Sequence, residues 1–186
     1  CALCHAVTHS IDQDRWYREG FVYRPGDELQ RSEVVLRPFD PAHATYVAER
    51  TKDDPEFVRN HWWSDGDVRV SGREYSAMSG SPCDAKGALS CTSCHALHSY
   101  EALDDQLKPG MRGDAACTQC HTAPKYVAAE HVRHAPASEG ARCQNCHTPN
   151  TAYGLLKATR THRVSSPSVA TTIETGRPNA CNLCHL

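Results

Sequence analysis

The sequence predicts a mostly irregular fold with short α-helices and one small β-hairpin, whose interior is filled by something other than side chains. Three observations lead to this prediction. Apolar residues make up 39% of the 186 residues and the mean hydropathy is −0.60, so an ordinary apolar core would be thin. Cysteine and histidine are unusually frequent, with 11 and 12 copies. Pro, Gly and Ser are scattered between short patterned segments, which favours long ordered loops.

Charge and hydropathy exclude two classes of function. The chain carries 20 basic and 22 acidic residues, a formal net charge of −2, so it lacks the basic footprint of a nucleic-acid-binding protein. The longest apolar runs span only a few residues, as around Val127. A transmembrane helix needs about 20 such residues, and we predict none in this piece.

The cysteines follow one pattern, Cys-x-x-Cys-His, which occurs five times. Every Cys-x-x-Cys in the chain is followed by His, and only Cys83 lies outside the pattern. Two cysteines three residues apart share one side of a helical turn, where they can form thioethers to one porphyrin while the next His binds its iron. The spacing therefore predicts five covalently bound hemes c. The attaching residues are Cys1, Cys4 and His5; Cys91, Cys94 and His95; Cys117, Cys120 and His121; Cys143, Cys146 and His147; and Cys181, Cys184 and His185.

Zinc modules and disulfide scaffolds are the two alternatives for so many cysteines. Five zinc ribbons would need about twenty ligands, and the His after each Cys-x-x-Cys would have no role. A disulfide framework gives no reason for that His either. Heme attachment explains both the cysteine pairs and the histidine that follows each of them. Short α-helices around stacked hemes then explain the thin apolar core.

Seven histidines remain for the second axial position of five irons, while there are only two methionines. Histidine on both sides is therefore the economical prediction, and without the methionine ligand that raises the potential these hemes should have low potentials. We favour His98, His134 and His162 as distal ligands. His9 and His131 are open candidates, whereas we expect His43 and His61 to be surface or hydrogen-bonded residues.

Sequence spacing restricts the heme that two of these candidates can reach. His98 follows His95 by three residues and His9 follows His5 by four, spacings that share one face of a helix. A ligand beside the proximal His cannot reach the opposite face of the same porphyrin. If either binds iron, the iron therefore belongs to another heme. His131 and His134 lie in a segment from Pro124 that we predict to be one short helix.

The motifs divide the chain unevenly. Residues 91–186 contain four motifs and form a predicted compact four-heme part, whereas residues 1–90 contain one motif and most of the large aromatic side chains. In the first part we predict a helix from Asp54-Pro55 to Asn60 and a hairpin over 62–70 with an Asp-Gly turn. Its aromatics either cover a heme face or form a small apolar core. Because the chain starts and stops within motifs, we expect a piece of a larger protein.

Several runs resemble a known family. They are Ser64-Asp-Gly-Asp-Val-Arg-Val-Ser-Gly-Arg-Glu-Tyr75, Cys91-Thr-Ser-Cys94-His95-Ala-Leu-His98, Ser138-Glu-Gly140, Thr161-His162-Arg163 and Pro178-Asn-Ala-Cys181-Asn-Leu-Cys184-His185. Together they resemble bacterial multiheme cytochromes c of the cytochrome c554 and nitrite-reductase-related group, whose members often carry tetratricopeptide or HEAT-like repeats. The resemblance covers roughly two thirds of the chain, and its heme motifs are specific.

The resemblance implies helical and coil segments around parallel and perpendicular heme pairs, with His on both sides of each iron. It suggests His98, His134 and His162 as distal ligands, and it implies export across the inner membrane to the periplasm or the extracellular space. The nitrite reductases of the group use a Cys-x-x-Cys-Lys catalytic motif. This sequence lacks that motif, which argues against reductase activity.

We therefore predict electron transfer by five closely spaced hemes, with redox proteins or neighbouring cytochrome subunits as partners and a larger complex or filament as one setting. No catalytic residue stands out beside the motifs, which favours a carrier over an enzyme. The alternative is a multiheme oxidoreductase with one open iron position for a small substrate. The supply of seven spare histidines weighs against it.

Overall fold

The computed structural model describes residues 1–87, 89–98 and 106–185. Within these ranges the secondary structure consists of short helices, single 3-10 turns and two antiparallel pairs of strands. The helices are α1 (Ala2–His5), α2 (Gln13–Glu19), α3 (Ala44–Asp53), α4 (Phe57–His61), α5 (Glu74–Met78), α6 (Pro82–Lys86), α7 (Cys91–Cys94), α8 (Ala115–Thr118), α9 (Ala129–Val132), α10 (Cys143–His147) and α11 (Val169–Thr175). The 3-10 turns are Leu29–Arg31, Pro41–His43, Pro124–Tyr126 and Glu139–Ala141. The strands are β1 (Thr8–Ser10), β2 (Glu33–Val35), β3 (Asn150–Gly154) and β4 (Lys157–Arg160).

The short helices and irregular connections agree with the predicted fold class. Helix α3 is the longest described, with ten residues, and the predicted helix after Asp54 appears as α4, which starts two residues after Pro55. The Asp54 side chain accepts a hydrogen bond of 3.0 Å from the Glu56 backbone N–H, as a residue at a helix start does.

The two sheets differ in how their strands are connected. β1 and β2 pair with Thr8 opposite Val35, across a long connection that contains α2. β3 and β4 form a hairpin with Gly154 opposite Lys157. Its turn residues Leu155 and Leu156 have φ of 51° and 62°, which turns of this kind require and which leucine rarely adopts. The sequence carries no Asn-Gly or Asp-Gly signal here, and the prediction missed this hairpin.

The hairpin predicted over 62–70 is present only as a tight turn with minimal pairing. Trp62 and Val68 form a single antiparallel bridge, and the Trp63 N–H donates to the Asp67 carbonyl at 2.8 Å. Gly66 has φ of 80°, a conformation that favours glycine. The predicted Asp-Gly turn is therefore correct, but the flanking residues do not continue as strands.

The helix predicted from Pro124 to His134 is wrong, because two breaks divide the segment. A 3-10 turn ends at Tyr126, and the extended residue Ala128 precedes α9. Arg133 then adopts a left-handed conformation with φ of 58° and ends α9. His131 therefore lies within the helix while His134 lies beyond its end, so the two side chains do not share a helical face.

A small apolar core lies in the first half of the chain. Phe57 and Leu36 are each 1% exposed. They form one cluster with four other buried residues, Val7, Trp62, Val68 and Ala77. Of the two roles predicted for the aromatic residues, a small apolar core therefore holds for Phe57 and Trp62.

The described residues after 90 bury little apolar surface. Pro149 and Ala152 are the buried apolar side chains among residues 91–98 and 106–185. The whole chain exposes 12097 Å², whereas a folded monomer of 20.5 kDa exposes about 8,900 Å². The polypeptide alone thus leaves roughly a third more surface uncovered than its mass predicts.

Backbone contacts join the first half of the chain to the β3–β4 hairpin. The Tyr153 N–H donates to the Arg69 carbonyl at 2.8 Å, and the Ser71 N–H donates to the Tyr153 carbonyl at 3.0 Å. The Trp63 indole N–H reaches the Thr151 carbonyl at 3.0 Å. No helix in the described ranges has the length and apolar character needed to cross a membrane.

Candidate heme sites

Each Cys-x-x-Cys-His motif folds into one helical turn. The His N–H donates to the carbonyl of the first cysteine four residues earlier, at 2.9 Å in His5 and His95, 3.0 Å in His121 and 2.8 Å in His185. The corresponding residues 143–147 form α10. This local geometry places the two cysteines on one side of the turn, as the spacing predicts, and the following imidazole beside them.

The eleven cysteines all lie in described ranges, and none of them forms a disulfide. Across the same ranges no three His, Cys, Asp or Glu side chains converge as a cage for a single metal ion. The structure instead brings histidines together in pairs.

Three motif histidines each face one spare histidine. The ring centroids of His95 and His162 are 6.1 Å apart, those of His147 and His131 are 5.9 Å apart, and those of His185 and His134 are 6.0 Å apart. Imidazole–metal bonds are about 2.0–2.1 Å long. Two imidazoles on opposite sides of one metal therefore have centroids about 6 Å apart. The three pairs match the donor set and spacing of a bis-His heme iron.

Hydrogen bonds orient several of these rings for metal binding. His147 Nδ1 donates to the Ser165 carbonyl at 2.8 Å, and His134 Nδ1 donates to the Val132 carbonyl at 3.0 Å. A His that donates from Nδ1 keeps its Nε2 lone pair for a metal, and such a partner is typical of metal-binding histidines. The residues present thus fit heme iron in donor type and spacing, and two of the six rings are oriented by a hydrogen bond from Nδ1.

A carboxylate orients the first motif histidine in the same way. His5 Nδ1 donates to Glu74 Oε2 at 3.0 Å, because an ionised carboxylate only accepts. Burial tends to raise the pKa of Glu74, but hydrogen bonds from its own backbone N–H, from His5 and from Gly72 outweigh it and leave the pKa below its usual range. Glu74 is therefore ionised at neutral pH, and sequence reasoning gave no sign of its role.

The comparisons with known proteins bear on the second half of the chain. Residues 104–186 match the family model described as cytochrome c7 and related cytochrome c, and this segment contains three of the five motifs. This match supports a multiheme c-type cytochrome. No curated protein and no solved structure matches the chain significantly. The finer resemblance to the cytochrome c554 and nitrite-reductase-related group stays a prediction.

The structure places three of the five distal candidates opposite a motif histidine. His134 and His162 were favoured from the sequence, whereas His131 was an open candidate; all three lie in the pairs described above. Burial lowers the pKa of His162, although Glu74 opposes that shift. His162 is therefore neutral at physiological pH, as an imidazole must be to bind a metal.

The other two candidates, His9 and His98, do not follow the helical spacing assumed for them. His9 lies in β1 rather than on a continuation of α1, and His98 has φ of 57° after the extended residue His95. The prediction that each shares a helical face with its motif histidine is wrong. Helix α1 ends at His5 and α7 ends at Cys94, and the next residue is extended in both cases.

The described contacts of His9 and of the two histidines predicted not to bind iron involve no motif histidine. His9 is 6% exposed; its Nε2 donates to Glu49 at 3.0 Å, and its buried Nδ1 has no hydrogen-bond partner among the described residues. His43 Nδ1 accepts from the Arg37 N–H at 3.0 Å, which leaves Nε2 protonated in the neutral ring. His61 Nδ1 donates to the Phe57 carbonyl at 2.8 Å, and its ring packs on Phe57 and Trp62.

Close approach of Gly140 to His134 is a feature that the sequence did not reveal. A Cβ built on Gly140 would lie 2.7 Å from His134 Cγ, well inside van der Waals contact. Glycine is therefore required for the His134 ring to lie against the 3-10 turn Glu139–Ala141. In the sequence, Gly140 stands out only within the run Ser138-Glu-Gly140 that contributes to the family resemblance.

Neighbouring motifs approach each other at their cysteines. Burial raises the pKa of Cys117 to about 11, and the nearby Cys143 adds to the rise. Gln119 lies 3.6 Å from Cys94 Sγ. Burial also raises the pKa of Cys146, with smaller contributions from Cys181 and Cys184. The cysteines of the last four motifs are thus neighbours in space along the order of the chain.

Proposed function

We propose that this chain is an electron-transfer module that binds five hemes c covalently, at least three of them between two histidines. The observation that carries the proposal is the set of three imidazole pairs with centroids 5.9–6.1 Å apart. When bound, heme supplies an iron that takes up and releases one electron, at a potential set by its axial ligands, its burial and nearby hydrogen bonds. The chain supplies the attachment, the ligands and the spacing.

We further propose that the five sites follow one another in sequence order. Glu74 links the first two sites, since it bonds His5 and acts electrostatically on His162, the partner of His95. Gln119, inside the third motif, contacts the second through Cys94 Sγ. A continuous series of sites is the arrangement that an electron carrier needs, because each site must lie close to the next.

Contacts of the same kind place the third site next to the fourth in the proposed order. Asp114 precedes α8 and accepts from the Cys143 N–H at 2.8 Å, which ties the third motif to the fourth. Tyr126 lies between their histidine ligands, with its ring 4.9 Å from His121 and 6.1 Å from His131.

The fourth and fifth sites are linked through Gly140. Cys146 Sγ is 3.9 Å from the Gly140 carbonyl, and Gly140 packs on His134, the partner of His185.

Two sites lack an assigned second ligand. His9 and His98 are the proposed distal ligands for the hemes at Cys1 and Cys117, in an order that we leave open. The oxidoreductase alternative would place an open iron position at His121, whose described ring neighbour is Tyr126 rather than a histidine.

Location and partners follow from the cytochrome assignment. Domains of the cytochrome c7 type are typically exported to the periplasm, and we propose a periplasmic or extracellular location for this chain. Redox proteins or neighbouring cytochrome subunits, in a complex or filament, are the proposed partners. The division into a one-heme part up to residue 90 and a four-heme part after it belongs to the same proposal.

Ligand substitutions in matured protein test the proposed function. Mass spectrometry of the denatured chain should find five heme additions. His131→Ala, His134→Ala and His162→Ala should each convert one heme from low to high spin in the electron paramagnetic resonance spectrum, while all five hemes stay attached. His43→Ala is the matched control and should change nothing. Five low-spin hemes in every variant would refute the ligand pairs, and a high-spin heme that binds cyanide in the unmodified protein would favour the oxidoreductase.

A further inference from the structure

A buried group of charges lies where the turn after Trp63 meets the last third of the chain. Asp67 is 1% exposed, Arg177 is 5% exposed and Thr161 is 1% exposed. The Arg177 guanidinium donates to Asp65 Oδ2 at 2.7 Å and 3.1 Å and lies 3.5 Å from Asp67 Oδ2. Arg163 contributes a second guanidinium, 4.0 Å from the Asp65 carboxylate. We use the name charged clamp for the group formed by Asp65, Asp67, Arg163, Arg177 and Thr161.

A buried set of ion pairs is a poor source of stability, because desolvation of the charges offsets most of their attraction. Apolar residues of similar volume would often serve stability as well or better. The clamp spans 112 residues between Asp65 and Arg177. Its main contribution is therefore the fixed relative position of the two segments that it joins, rather than stability.

The clamp includes the two residues next to His162 in the sequence, Thr161 and Arg163. Thr161 Oγ1 donates to Asp67 Oδ1 at 2.9 Å, and Arg163 Nη1 donates to the Asp65 carbonyl at 2.8 Å. The Arg163 N–H also donates to Thr161 Oγ1 at 3.1 Å. Both neighbours of His162 are thus tied to one rigid turn, which fixes the backbone from which the imidazole extends.

The held imidazole is the one that faces His95 at a centroid distance of 6.1 Å. His95 follows α7 in an extended conformation, so the helical turn of its motif does not determine which residue lies opposite its ring. A ligand supplied from 67 positions further along the chain needs an independent anchor, because small backbone shifts would break a bond of about 2 Å.

We propose that Asp65 and Asp67 are positioning residues that hold His162 in place as the distal ligand of the heme attached at Cys91 and Cys94. This inference rests on the proposed function. Asp67 acts through its carboxylate on Thr161, whereas Asp65 acts on Arg163 through its backbone carbonyl and, at 4.0 Å, through its carboxylate. They come from the part of the chain that precedes residue 90, so that part also builds a site whose attachment lies beyond it.

The test compares Asp67→Ala with His162→Ala in mature protein. Asp67→Ala removes the acceptor of Thr161 and should give a high-spin signal equal to one heme in five, at the same site as in His162→Ala. The double variant should show no second high-spin heme. Five hemes should stay attached, and the midpoint potential of one should shift. Thr161→Val, which removes the hydroxyl but keeps the shape, should give a smaller shift at the same heme and decides the matter if Asp67→Ala does not fold.

The control is Glu56→Gln, which removes a carboxylate from the exposed pair of Glu56 and Arg59 and should leave all spectra unchanged. Five low-spin hemes with unaltered potentials in folded Asp67→Ala, or in Thr161→Val if only that variant folds, would overturn the positioning role. If His162→Ala itself has no effect, the ligand assignment has failed instead, and the two failures are thereby distinguished.

Discussion

Residues before 90 enclose a conventional apolar cluster around Phe57 and Leu36, whereas the described residues after 90 bury two small apolar side chains, Pro149 and Ala152. The second region nevertheless contains four of the five motifs and all three histidine pairs. Hydrophobic burial is the main favourable term in folding, and the second region cannot obtain it from side chains alone. The comparison shows an interior of side chains in one region, and for the other region we propose that porphyrin takes their place.

The largest expected effect comes from removing one heme in the second region. In Cys117→Ala/Cys120→Ala, the lost heme leaves a space whose lining cannot collapse, so amide hydrogen exchange should become fast across neighbouring segments such as α8 and α10. Exchange in α4 and in the β1–β2 sheet should stay slow. Cys83→Ala, outside the motifs, is the control and should leave both regions protected. Slow exchange throughout the double variant would mean that side chains suffice to form the second region.

A large-to-small substitution in the first region tests the other half of the comparison. Phe57 is 1% exposed, and Phe57→Ala should lower the free energy of unfolding by about 3–5 kcal/mol, measured by urea denaturation followed by tryptophan fluorescence. Heme content and spin state of the His147 and His185 sites should be unaffected. Ile173→Ala, at a side chain that is 81% exposed, should change stability by less than about 0.5 kcal/mol. Equal losses in the two variants would contradict an apolar core around Phe57.

The smallest effect is a local one at the last heme site. Gly140→Ala places a Cβ against the His134 ring and should move that ring away from His185. The expected result is one high-spin heme with little change in stability, seen by electron paramagnetic resonance. Gly80→Ala is the matched control, since a Cβ there meets its nearest atom at an ordinary 3.5 Å. A low-spin spectrum in Gly140→Ala would show that His134 is not held by this contact.

Predictions from the sequence were correct where a turn or a helix start contains the residue type that it prefers. The Asp65-Gly66 turn and the helix after Pro55 are present, because glycine and capping preferences act within a few residues. The single helix predicted from Pro124 to His134 is wrong, because Arg133 adopts a left-handed conformation for which the sequence carries no local signal. The β3–β4 hairpin was missed for the same reason: its turn uses Leu155 and Leu156 in a conformation that tertiary contacts of Tyr153 support.

The sequence by itself determined the predicted heme-attachment sites, because two cysteines and a histidine in one helical turn form a site whose geometry depends only on helix periodicity. It also limited the distal ligands to seven histidines. Only the tertiary structure decided which of them meets which motif, as in His95 with His162 or His185 with His134. Those partners are separated by tens of residues, and no local preference links them. Their pairing depends on contacts outside the motifs, and we propose the charged clamp around His162 and the packing of Gly140 against His134 as two of them.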